Sequence, residues 1–410
     1  MNTEIFRKYA QLAVKVGVNL HPGQDVVITA STSTAAFVTE VVRVCYEAGA
    51  SSVTIDWTNH EIEKLRWQYE DASVMSKLLP WQEEQLKHRM DTFPCKIRIE
   101  DADPELLNEI DADKLASVNH ARMAAIKKYR DFEILNTQWV IIAVPSVGWA
   151  KKVFPECSEE QAVEKLWQAV IDVLRLQSQD PAQEWADHLE ELSKRADYMN
   201  HLKLDYLVYT SSNGTNLKVK LHPQHVWLAP IIKNIDGIPF TANLPTEEVF
   251  TMPQRDGVDG VVVSTKPLSL NGQLVEDFKV RFQDGKAVEV TASKGLDTLE
   301  NMLNMDDNSR HLGEVSLVPF NSPINRTNLL FQKTLFDENA CCHFAFGFGL
   351  KNNIQGYENL TEEDFRNLGF NFSVNHVDFM IGSEDLNVVG YDFQGNSHQI
   401  FEHGTWAFTL

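Results

Sequence analysis

Basic side chains are in short supply: 37 Lys and Arg face 58 Asp and Glu, a formal charge of −21 over 410 residues. Nucleic-acid binding needs a cationic footprint, and no basic cluster stands out, so a polyanionic partner is not expected. Cysteine is scarce too. The five thiols (Cys45, Cys95, Cys157, Cys341 and Cys342) are odd in number, scattered, and contain no C-x-x-C pair. That pattern suits reduced thiols rather than a secreted disulfide scaffold. Long apolar runs are also missing. The longest, Trp139 to Ala150, is broken by Pro145 and is too short to cross a bilayer. The first residues lack the charged-then-apolar pattern of a signal peptide. No glycine-rich phosphate loop follows a strand, and Gly347-Phe348-Gly349 lacks a third glycine, so nucleotide binding has no support. What remains is the expectation of a globular, cytoplasmic protein without membrane or nucleic-acid partners, long enough for two domains.

The first hundred residues alternate between helical and strand patterns. Glu4 to Val18 reads as a helix, Val26 to Ala30 as a short buried strand after a Pro-Gly turn, Thr32 to Ala48 as a second helix, and Ser52 to Trp57 as another strand. Strand, helix and strand in so short a span make a βαβ unit, so this sheet is expected to be partly parallel. Trp139 to Val144 adds an apolar strand, and Ser158 to about Asn200 reads as helical, with Asp180-Pro181 as a cap and first helical position. Beyond that, Leu204–Tyr209, Leu217–Leu221, Val261–Thr265 and Val275–Phe282 read as antiparallel strands, with turn signals at Ser212-Asn213-Gly214-Thr215 and Gln283-Asp284-Gly285. The expected architecture is an α/β domain over residues 1–200 and a mainly antiparallel α+β domain over 201–410.

Four segments of the second half are dense in acids and histidines: Asn243–Pro253, Arg310–Val315, Leu335–Gly347 and Val374–Gly382. In the last, His376 and Asp378 are two apart on a predicted strand and therefore share a face. An imidazole and a carboxylate so held can grip a divalent ion; a surface His–Asp hydrogen bond gives the same pattern. Glu247 and Glu248 are neighbours, so on extended chain only one can enter a given site, while the same residues also suit the first turn of a helix. Glu314 precedes an apolar run and is expected at a sheet edge or mouth. Glu338 and His343 can converge only if the chain bends near Asn339. Cys341 and Cys342 read as small buried residues, His222 and His225 as loop residues, and His311 as a surface or supporting group.

Taken together, the four segments resemble the M29 family of metallo-aminopeptidases, the aminopeptidase T and aminopeptidase S (PepS) type. The matching words are Asn243-Leu244-Pro245-Thr246-Glu247-Glu248-Val249-Phe250-Thr251-Met252-Pro253, the Gly313-Glu314 pair, Thr334–Ala340 followed by His343, and Asn375–Gly382. Ala150–Pro155 and Gly404–Phe408 look similar too, so the resemblance covers nearly the whole chain. It implies that Glu248 is the first metal ligand, that Glu314 bridges two ions, that Glu338 and His343 lie with the first metal, and that His376 and Asp378 hold the second. The implied cofactor is a pair of divalent ions (zinc, cobalt or manganese). The implied reaction is hydrolysis of the N-terminal bond of short peptides by a water the ions share, with Glu247 as candidate general base and a homodimer as the expected assembly. One position departs from the family pattern: Leu350, seven residues after His343, stands where the family usually carries a tyrosine beside the reacting carbonyl. Tyr357 is the candidate to replace it. Two other functions stay open: a weakly active or inactive peptide- or metal-binding homologue, and an amidohydrolase acting on small non-peptide amides.

Overall fold

The computed structural model describes residues 3–270 and 273–410. Contacts divide the chain into two compact units: residues up to Asp187 with Ile231–Pro245, and His188–Pro230 with Thr246–Leu410. Among the described residues no helix is long and apolar enough to cross a membrane.

In the first unit, β1 (Asp25–Ser31), β2 (Ser52–Thr58), β3 (Cys95–Glu100) and β4 (Trp139–Ala143) form one sheet in the order β2-β1-β3-β4. All three pairings are parallel. The contiguous buried run Val26-Val27-Ile28 in β1 is how a strand covered on both faces reads in sequence. Helix α1 (Thr3–Leu12) opens the chain, α2 (Ala35–Glu47) joins β1 to β2, and α3 (His60–Tyr69) follows β2. Helix α2 buries Phe37, Val38, Val41, Val44 and Cys45, the spacing of one helical stripe. Its neighbour α3 starts at Asn59, whose side chain accepts the Ile62 N–H at 3.0 Å. The expected cap at Asp180-Pro181 is present: Asp180 Oδ1 accepts the Gln183 N–H at 3.2 Å, and the helix runs Pro181–Leu202.

The second unit holds an eight-stranded and a four-stranded antiparallel sheet. One has eight strands, among them Leu204–Thr210, Asn216–Leu221, Pro253–Val263 and Lys279–Gln283. Both predicted hairpins form, at Ser212–Thr215 and at Asp284-Gly285. The reading of Val275–Phe282 as one strand is corrected. A strand ends at Val275, the next begins at Lys279, and Asp277 between them has φ of 48°. The burial pattern explains the break: Phe278, Val280 and Phe282 are buried in phase with one another, while buried Val275 is out of step. The other sheet has four strands: β5 (Val249–Thr251), β6 (Leu312–Leu317), β7 (His343–Gly347) and β8 (His376–Met380), in the order β8-β7-β6-β5.

Candidate metal centre

The four-stranded sheet sorts its side chains into two faces. Register pairs Ser316 with His343, Glu314 with Ala345, Ala345 with Asp378, and Gly347 with His376. Paired residues point to the same side of a sheet, so Glu314, Ser316, His343, His376 and Asp378 share one face. The alternate residues Val315, Leu317, Phe344, Phe346 and Phe379 all belong to the hydrophobic core on the other. The apolar face thus anchors a row of donors. Ala345, between Glu314 and Asp378, projects only a methyl group and leaves the space over the sheet to the longer side chains.

The donors converge in two groups that share a member. Glu248, Glu314 and His343 form one, Glu314, His376 and Asp378 the other; within each, one ligand atom per residue lies within 4.8 Å of the rest. His343 Nε2 is 3.4 Å from Glu248 Oε2 and 3.6 Å from Glu314 Oε1. His376 Nε2 is 3.3 Å from Glu314 Oε2 and 3.4 Å from Asp378 Oδ1. The two oxygens of Glu314 therefore face different histidines. The expected position of Glu314 at a sheet edge is corrected: β6 is flanked on both sides by β7 and β5, and Glu314 is buried. Of the two readings of Glu247-Glu248, extended chain and a helix start, the first holds, because extended chain leads into β5. Tertiary contacts replace those a helical turn would make: Asn339 Oδ1 accepts the Glu247 N–H at 2.8 Å, and Ser316 Oγ donates to Glu248 Oε2 at 2.8 Å. The neighbours do point apart, since Glu247 Oε2 lies 3.2 Å from His188 Nε2.

Burial alone would raise the pKa of Glu314, but hydrogen bonds and charge from His343 and His376 hold it down at about 2. Glu248 is pushed up, by burial first and by the charge of Glu314 as well. Burial would lower both histidines; the surrounding carboxylates win and keep each well above the ordinary histidine value. Three carboxylates thus share a pocket with two imidazoles, and protons on the imidazoles offset only part of the negative charge. A divalent cation fits that deficit and would displace those protons. The outer contacts fit too. His376 Nδ1 lies 2.7 Å from the Phe348 carbonyl, which can only accept, so the proton sits on Nδ1 and Nε2 is the free donor to a metal. The mixture of carboxylate and imidazole suits several first-row divalent ions.

Other anticipated residues lie around this core. Glu338 is on the short helical turn Glu338–Ala340, which supplies the bend near Asn339. It joins neither three-residue group, yet its carboxyl is pushed well up by burial and by the charges of Asp378 and Glu248. Tyr357 starts another such turn and packs against the apolar cluster of Met252, Ile354, Phe365 and Phe370. Leu350 immediately precedes the turn Lys351–Asn353. Cys341 and Cys342 are buried, and neither joins a ligand group. His311 is buried rather than at the surface, with Nδ1 3.1 Å from the Arg255 carbonyl. His222 Nε2 lies 3.0 Å from the Leu368 carbonyl, and His225 Nδ1 2.8 Å from that of His222. Sequence reasoning missed Ser316, Asn339 and His188. Ser316 was within reach, because it lies two residues from Glu314 on a strand; nothing local marks His188.

Ser316 offers a test of the arrangement. Ser316→Ala removes the hydrogen bond that orients Glu248, and metal affinity should fall roughly 10–100-fold, measured by chelator competition. Unchanged affinity would show that Ser316 does not orient the ligand.

The family model described as thermophilic metalloprotease (M29) matches residues 2–406. The chain belongs to the M29 family. This M29 chain is 41% identical over 401 residues to aminopeptidase AmpS of Bacillus subtilis (strain 168), covering 98% of each. It is 38% identical over 404 residues to aminopeptidase 2 of Geobacillus stearothermophilus, again 98% of each. The structure of wild-type AmpT from Thermus thermophilus superposes with a TM-score of 0.92 at 35% identity, covering 99% of this M29 chain and 100% of AmpT. The mixed α/β architecture, with its parallel four-stranded sheet and its antiparallel sheets, is the one AmpT shares. Family and relatives together support a metallo-aminopeptidase.

Proposed function

We propose that the protein is a dinuclear metallo-aminopeptidase that releases N-terminal residues from short peptides. The observation that carries this reading is Glu314, one carboxylate shared by two ligand groups. One ion would be held by Glu248, Glu314 and His343, and another by Glu314, His376 and Asp378. Bound divalent ions, whether zinc, cobalt or manganese, supply Lewis acidity and bring the pKa of water toward neutrality.

The chain's own groups do the rest. Glu338 Oε1 accepts from Asn339 Nδ2 at 3.3 Å; bound cations would offset the burial and the neighbouring negative charge that hold its proton, and the ionised carboxylate would take the proton of the attacking water and return it to the departing amine. Glu247 is less suited to that task, because its carboxylate is engaged by His188. The surplus of carboxylates also suits a substrate with a free, positively charged N-terminus. A cytoplasmic homodimer is part of the same reading.

Removal of metal tests it directly. Dialysis against a chelator should abolish hydrolysis of aminoacyl-chromophore substrates, and added zinc, cobalt or manganese should restore it, with about two ions per chain by elemental analysis. Activity indifferent to chelation would end the proposal. A second reading rests on Leu350: without a phenol at that position the chain binds metal and peptide but turns over slowly. Two ions per chain with negligible turnover on a dipeptide panel would favour it, and hydrolysis of small non-peptide amides alone would point to an amidohydrolase.

A further inference from the structure

The first unit contains a cavity of about 580 Å³ that the metal chemistry does not use. It opens at the carboxyl ends of the parallel strands: Ser31 ends β1, His60 follows β2, Asp101 follows β3, and Ser146 follows β4. Because β1 lies between β2 and β3, the connections leave the sheet in opposite directions there. That crevice is where open parallel sheets take their ligands, and the volume is within the range of small-molecule sites.

The lining has a definite chemistry. One wall is polar and fixed: Asp101, 1% exposed, has Oδ1 2.7 Å from His60 Nε2, while Oδ2 accepts from Ser31 Oγ at 2.8 Å and also from Ser33 Oγ. The floor is aromatic, with the Phe6 ring centroid 5.5 Å from both Phe37 and Trp167. Fixed charge is of one sign, since Asp103 and Glu61 join the lining and no Lys or Arg does among the described residues. Lys152, the basic group near Asp103, is paired with Glu105, and the Asp103 charge favours its protonated form as well. Asp103 is also held in place: its Oδ1 accepts the Glu105 N–H at 2.9 Å, and the backbone at Gly148 packs so closely that a Cβ there would come within 2.9 Å of Asp103 Cβ.

We propose that this cavity binds a small primary-amine cation with an aromatic or similarly sized apolar body. The ammonium group would meet the Asp103 carboxylate and the body would lie against Phe6, which covers the buried Phe37 and Trp167, an arrangement that favours a cation through charge and an apolar body through contact. Phosphates and nucleotides are a poor match for an acidic lining. The proposal is independent of the metal centre.

Calorimetric titration of the metal-loaded protein with phenethylamine, and with 3-phenylpropionate as its anionic counterpart, tests it. Phenethylamine should saturate one site per chain, and the acid should bind at least roughly tenfold more weakly. Asp103→Asn should weaken phenethylamine roughly tenfold or more with the thermal midpoint unchanged. Val147→Trp, at a half-exposed rim position (46% exposed), should block binding without touching the carboxylate. Glu314→Gln should leave the affinity as it was. The inference is overturned if binding disappears in Glu314→Gln yet survives in Asp103→Asn, if the acid binds as well as the amine, or if millimolar phenethylamine shows no saturable binding.

Discussion

Replacing Glu314 by glutamine should lower kcat/KM by about a thousandfold, the upper end of what one preorganised charge-stabilising group is worth, equivalent to about 4 kcal/mol of transition-state stabilisation. The reason is geometric. Each oxygen of Glu314 faces a different histidine, 3.6 Å from His343 and 3.3 Å from His376, and a primary amide keeps only one oxygen able to ligate a cation. The substitution also removes a negative charge from a site built around a charge surplus. Glutamine matches glutamate in volume, and Val315 and the core beneath are untouched, so the folded structure should persist. Elemental analysis should find fewer than two ions per chain, with circular dichroism unchanged. A Glu314→Gln enzyme that keeps two ions and full turnover would remove the shared carboxylate from the mechanism.

The second large effect is a gain. Leu350→Tyr would place a phenol at the position where the family resemblance expects one, shortly after β7 delivers His343 and after Phe348, whose carbonyl meets His376 Nδ1. A hydroxyl that donates to the developing oxyanion is worth on the order of 10–1000-fold in kcat, so the substitution should raise kcat by an amount in that range while leaving metal content alone. Leu350 is only partly buried, so a larger ring there need not disturb the core. If kcat does not rise while Tyr357→Phe in the parent lowers it, Tyr357 already supplies the hydroxyl. If neither substitution moves kcat, this enzyme makes no use of a phenol.

Local pattern was a good guide wherever a residue's surroundings are set by its own segment. The βαβ start was legible because Val26–Ile28 and the stripe of α2 carry their burial in their spacing. The hairpins at Ser212–Thr215 and Asp284-Gly285 were legible because those turns need residues tolerant of left-handed backbone. His376 and Asp378 could be paired from the period of a strand alone. The error at Glu314 and the choice left open at Glu247-Glu248 share one cause. Glu314 looked like an edge residue, since a glutamate before an apolar run is ordinarily solvated, and only the pairing of β6 with strands on both sides buries it. Glu247-Glu248 suited a helix start as well as extended chain, and contacts with Asn339 and Ser316, from distant segments, decided for the latter.

By itself, then, the order of residues determined the secondary structure of most segments, the surplus of acidic over basic side chains, and which acids and histidines were candidates, because spacing and composition act within a few residues of chain. Tertiary structure alone decided that Glu314 belongs to two ligand groups at once, that Glu247 turns away to His188, and that β1 to β4 open a cavity far from the acids in sequence. Those outcomes depend on strand register and on contacts between remote segments, and no local periodicity encodes them.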